Sequence, residues 1–123
     1  MAQNQQFPAI PVDTTGAIFG GNGEPMPRVD FETGEIRTDE ENRTLYEVPV
    51  IMLRTGERAG TAITVTVAGE PPAGIGFLTP LHIAGLVARM WMMPGKDGNT
   101  RAGMSYRAET ITPATGTTTK AVA

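Results

Sequence analysis

Residues 78–93, LTPLHIAGLVARMWMM, decide the fold of this chain, because they read as well as a helix as they do as a strand. As a helix the stretch starts well, with Thr79 as cap and Pro80 at the first helical position. Ile83, Leu86, Val87, Met90 and Trp91 then fall on a helical stripe. As a strand it alternates loosely through Leu81, Ile83 and Val87, with Gly85 as a bulge. Composition leaves the two readings balanced.

The surroundings of this stretch read as strands. In TLYEVPVIML (residues 44–53), Tyr46, Val48, Val50 and Met52 share one continuous apolar face. The other face is mixed, and Pro49 removes a ladder donor, which calls for an edge or bulge position. TAITVTVAG (61–69) puts Ile63, Val65 and Val67 inward and Thr64 and Thr66 outward. MSYRAETIT (104–112) sets Met104, Tyr106 and Ala108 against Ser105, Arg107 and Glu109. GAIFGG (16–21) reads as a short first strand, and RVDFETGEIRT (28–38) as a hairpin turning at Thr33-Gly34. PGKDGNTRAG (94–103) reads as a glycine-rich hairpin loop.

Fifteen Gly and ten Pro in 123 residues argue against long helices and for short strands joined by turns. The expectation is a mainly β fold of five to six short antiparallel strands. Hiding their edges predicts a small closed barrel of the OB-like kind or a compact sandwich. The organisation expected is a flexible arm over residues 1–15, one β-rich domain over 16–112 and a disordered tail over 113–123.

Net charge is −3, unevenly divided. Residues 1–47 carry nine acids and three bases, whereas residues 48–123 carry four acids and seven bases. This asymmetry points to a polar partner on the later half or, as the default, to two halves that attract each other. The absence of Cys excludes disulfides and thiolate-based metal sites and fits a reducing cytoplasm. The first residues show neither the basic nor the apolar region of a signal peptide, and no apolar run approaches the roughly 20 residues of a membrane helix.

Catalytic chemistry finds little support. The single His, His82, lies in an apolar stretch without a neighbouring Cys or acid. GIGFLTP lacks the Lys-Ser/Thr of a phosphate loop, and FGGNGEP runs into Pro rather than a helix. Asp39, Glu40 and Glu41 are consecutive, a pattern of a solvated loop rather than of alternating metal ligands. No catalytic residue, metal site or cofactor is expected.

Polynucleotide binding has better material. Single-strand binders join basic residues for phosphate to aromatics for base stacking on a sheet. Candidate residues are Arg54 and Arg58 on one loop, Arg89 and Trp91 on the ambiguous stretch, Lys96 and Arg101 on the late loop, and Tyr106 and Arg107 on the last strand. Trp91 reads equally as core, and Tyr106 more readily as core than as binding surface, with arginines on a solvated rim.

The blocks LYEVPVIMLRTGERAGTAITVTVAGEPP, LTPLHIAGLVARMW and MSYRAE, within residues 28–112, resemble the Pra-type proteins of actinomycete integrative and conjugative elements. The resemblance implies an activator of plasmid replication, integration and excision. It also favours a strand through residues 81–91, since that family accepts a helix-breaking Pro near the position of Met90. Here Arg-Met-Trp stands in place of that Pro, which keeps the helix open. Two roles fit: DNA binding, single-stranded favoured, or an adaptor that touches a replication initiator or recombinase and no DNA. Neither involves a membrane, and a homo-oligomer is compatible with both.

Overall fold

The computed structural model describes residues 5–30 and 33–114, with the side chains of residues 5 and 6 left out of the description. Among the described residues ten strands form one sheet: β1 (Gln5–Gln6), β2 (Ile10–Pro11), β3 (Ala17–Gly21), β4 (Met26–Pro27), β5 (Leu45–Arg54), β6 (Thr61–Ala68), β7 (Pro80–Ala84), β8 (Val87–Pro94), β9 (Thr100–Arg107) and β10 (Thr110–Pro113). There is no helix among the described residues, and so none long and apolar enough to cross a membrane. Of the tail expected over 113–123, Pro113 closes β10 opposite Leu81 and Ala114 N–H donates to Pro80 O, which corrects the start of that tail; residues 115–123 lie outside the described residues, as do Phe31 and Glu32 of the expected 28–38 hairpin.

The sheet runs β1-β8-β9-β6-β5-β3-β7-β10, with β2 also on β8 and β4 on β5. It curls into an open half-barrel. This corrects the closed barrel, the sandwich and the count of five to six strands. It also corrects the all-antiparallel expectation, since β6 and β9 run parallel with Val65 beside Tyr106. Residues 5–6 and 10–11, read from sequence as part of a flexible arm, lie as short strands along β8.

Strand alternation places the core where the sequence put it. Val48 and Val50 of β5 and Val65 of β6 are fully enclosed, with Val67, Leu81, Ile83, Leu86, Ala108 and Ile111 around them. Ile63, Phe19 and Tyr106 pack against this cluster from its margin. Pro49 sits where its missing N–H costs nothing. β3 stops at Val50 and β4 begins at Glu47, so no flanking strand meets β5 at residue 49 on that side.

The stretch 78–93 is strand, not helix. It forms β7 and β8, broken at Gly85 and Leu86. The inward positions are Leu81 and Ile83 before the break and Leu86 and Ala88 after it. Gly85 makes this change of parity with a φ of 69°, and a β-carbon there would lie 2.6 Å from Cγ of Glu109. A left-handed backbone and a side chain crossing at contact distance both require glycine.

Opposite it, the last strand breaks too, into β9 and β10 around Ala108 and Glu109. Register continues unchanged through the break: Ala84 faces Thr110, and three residues on Val87 faces Arg107. Residues 80–113 are thus one long hairpin with a bend. Its lower half joins the sheet beside β3, and its upper half beside β6. The chain itself connects the two ends of the sheet.

Candidate nucleic-acid interface

The upper half of the hairpin, β8 and β9, carries most of the candidate residues. Opposed residues of an antiparallel pair point to the same side. The pairs Val87 with Arg107, Arg89 with Ser105, Trp91 with Gly103 and Met93 with Arg101 therefore form one face. Arg89, Trp91, Arg101 and Arg107 come together on it. Along β8 the spacing between Arg89 and Trp91 is about 6.7 Å, two residues of extended chain.

Trp91 is 38% exposed and belongs to no core cluster, which settles its position at the surface. One side of its indole lies on the backbone of Gly103. A β-carbon at that position would stand 2.6 Å from Cζ2 and 2.9 Å from Cε2 of the ring. The glycine thus gives the ring a flat seat, and the strand holds it there.

The reverse face of the same hairpin is different. Ala88 and Tyr106 oppose each other and turn into the core, followed outward by the exposed pair Met90 and Met104. Tyr106, chosen from sequence for this site, thus points away from it. It is a neighbour of Arg107 in one strand, and neighbours in a strand face opposite ways.

Among the described residues, Arg58, Arg89, Lys96, Arg101 and Arg107 take part in no ion pair. Two of the early acids, Asp39 and Glu41, are paired elsewhere. Arg43 lies 2.9 Å from Asp39 and 3.3 Å from Glu41. The backbone N–H of Arg43 is the main cause that holds the Asp39 carboxyl below its ordinary pKa, with further help from the Glu41 N–H and the Arg43 side chain. Arg107 borders this acidic loop as well as the hairpin face, since a cavity between them is lined by Asp39, Glu40, Glu41, Arg43 and Arg107. It is the cation of the set most exposed to negative charge.

Arg28 was not foreseen. With Val87, Arg89, Ser105, Tyr106 and Arg107 it lines a cavity of about 240 Å³ at the root of the hairpin. Its guanidinium is 3.6 Å from Glu47, a loose contact between two partly exposed groups. It sits between breaker residues and the 28–38 hairpin, 60 residues from the stretch it joins, so nothing local marked it.

The remaining candidates stand apart. Lys96 lies in the hairpin tip, a loop closed by Gly95 N–H to Asn99 O at 2.7 Å. Its neighbour Asp97 is kept ionised below the ordinary aspartate range, first by the N–H of Asn99, so the tip adds no net charge. Arg54 turns toward the amino-terminal segment, with Nη1 donating to Asp13 O at 2.8 Å. Arg54 ends β5 and Arg58 lies in the loop between β5 and β6, which by the parallel register stands at the same end of the sheet as the hairpin tip. No family model, curated protein or solved structure matches the chain.

Proposed function

We propose that this chain is a non-enzymatic cytoplasmic accessory protein that grips single-stranded DNA through the outer face of its β8–β9 hairpin. Its role would be the one implied by the resemblance, activating replication, integration and excision of a mobile element. One observation carries the reading: Arg89, Trp91 and Arg101 share a solvent-facing side of one ribbon, with no acidic partner among the described residues. A seated indole offers a stacking platform to any base, and flanking guanidiniums offer charge to the phosphates. Such a grip is largely blind to sequence.

A titration of the protein into labelled single-stranded oligonucleotide at two salt concentrations tests this. Affinity that falls steeply with salt and quenches Trp91 fluorescence is the expected result. No binding at low salt would sink it. The adaptor reading rests on the other side of the ribbon, where Met90 and Met104 are 46% and 48% exposed directly opposite each other. Methionine pairs of this kind suit an adaptable protein contact. It becomes the better account if DNA does not bind and Met90→Lys abolishes activation of the element.

A further inference from the structure

Away from the hairpin, the outer side of the sheet carries a second surface. Register sets Pro80, Gly20, Ile51 and Ala62 in one row across β7, β3, β5 and β6. Ile18 and Leu53 stand in the next row on one side, and Pro49 and Thr64 on the other. None of these eight residues is charged, and only Thr64 has a polar side-chain atom. Ile18 is 66% exposed, although it lies in the middle of a strand.

Where β3 ends and β7 begins, beside Gly20 and Pro80, Phe77 and Leu78 are 66% and 69% exposed. Their turn is held firmly. Leu78 N–H donates to Gly21 O at 2.9 Å, Gly21 N–H to Thr79 O at 2.8 Å, and Gly76 N–H to the Thr79 hydroxyl at 3.0 Å. Leu78 has a φ of 68°, a left-handed conformation that a β-carbon disfavours. The surrounding bonds hold two large apolar side chains out in water, at an energetic cost that a partner would recover.

We propose that the uncharged patch of these eight residues on the outer face of β3, β5, β6 and β7, with Phe77 and Leu78 at its margin and Glu47 in the row beyond Pro49, is where a second copy of this chain docks. In a two-fold contact each patch meets itself, so a patch with net charge repels its own copy. The loop of Asp39, Glu40 and Glu41 fails that condition, and so does the ribbon with Arg89 and Arg101. The face described here satisfies it. A different protein would be selected by complementary charge as well as by shape, and these eight residues offer no charge to complement, the next residue on this side of β5, Glu47, being 3.6 Å from Arg28. Sheets meeting in this way stack with their strands roughly aligned. The inference is independent of the polynucleotide reading, which uses the hairpin.

Sedimentation equilibrium of the full chain across a dilution series, at low and high salt, tests the proposal. The expected mass is twice 13.0 kDa at high concentration, falling on dilution and not weakened by salt, since apolar contact is not screened. Ile18→Glu and Phe77→Glu should each weaken association about tenfold or more. The second lies in a turn outside the ladder, and both variants should keep the β-type circular dichroism of the parent. A mass of 13.0 kDa at every concentration overturns the proposal and leaves the face to a different protein or to residues 115–123. A dimer that survives both substitutions overturns it as well.

Discussion

Trp91 and Gly103 face each other across the β8–β9 ladder, and the indole occupies the space that any side chain at 103 would need. Gly103→Val should therefore displace the ring without touching the core, which contains neither residue. Single-strand affinity should fall by about 1–3 kcal/mol, the value of one stacked base. Fluorescence titration reads the loss, and a thermal melt should show the fold intact.

Arg89 and Arg101 flank that ring on the same face and have no acidic partner among the described residues. Each replacement by Gln should lower the slope of log affinity against log salt by about 0.7, one phosphate contact on a single strand. Arg54→Gln is the control. Its guanidinium is already bonded to Asp13 O, so the slope should stay unchanged.

Tyr106 makes the opposite prediction. It packs against the core from the reverse face. Tyr106→Phe should leave DNA affinity unaltered, whereas Tyr106→Ala should cost about 2–3 kcal/mol of stability by opening a partly filled cavity. A denaturant melt beside a binding titration separates the two. A stable Tyr106→Ala variant that fails to bind DNA would return the residue to the site.

Gly85 sits at the bend of the long hairpin in a left-handed conformation, under the side chain of Glu109. Gly85→Ala should destabilise the chain by about 1–3 kcal/mol, from backbone strain plus crowding. Chemical denaturation measures it, and Glu109→Ala in the same chain should restore part of the loss by removing the crossing side chain.

Asp39 closes the acidic loop by accepting the N–H groups of Arg43 and Glu41 at 2.8 and 2.9 Å. Its pKa is lower folded than unfolded, so the folded state gains from its ionisation. That gain is complete above the unfolded value of about 3.9 and is lost as pH falls through the folded value beneath it. Stability should thus decline below about pH 4, and Asp39→Asn should remove its share of the decline. Melting temperatures taken between neutral and acid pH check the sign.

The strands with clean alternation were legible from sequence. In β5 and β6 a period of two puts Val48, Val50, Val65 and Val67 inside, and they are inside. The stretch 78–93 was ambiguous for a physical reason. Its inward positions, 81, 83, 86 and 88, change parity at Gly85, and steps of two, three and two resemble a helical stripe as much as a strand. The two-residue strands β1, β2 and β4 are too short to carry any period. The order of the sheet depends on the distant parallel contact of β6 with β9, which no local signal encodes.

Much the same divides the site. Arg89 and Trp91, two apart on one strand, could be paired from sequence once the strand was chosen. Arg101 joined them only through the register of the hairpin. The expected gathering of cations is partial: three arginines and the indole share a face, Arg54 ends β5 with Arg58 in the loop after it, and Arg107 borders acids. The role of Gly103 could not be seen in a stretch that reads as loop.

Because residues 80–113 keep a single register through their bend, a pull on the hairpin tip travels to both margins of the curled sheet at once. Load taken up at Trp91 does not peel a lone ribbon from the molecule. It would be shared by both junctions of the hairpin with the sheet, so the strength of the proposed grip and mechanical resistance should rise and fall together.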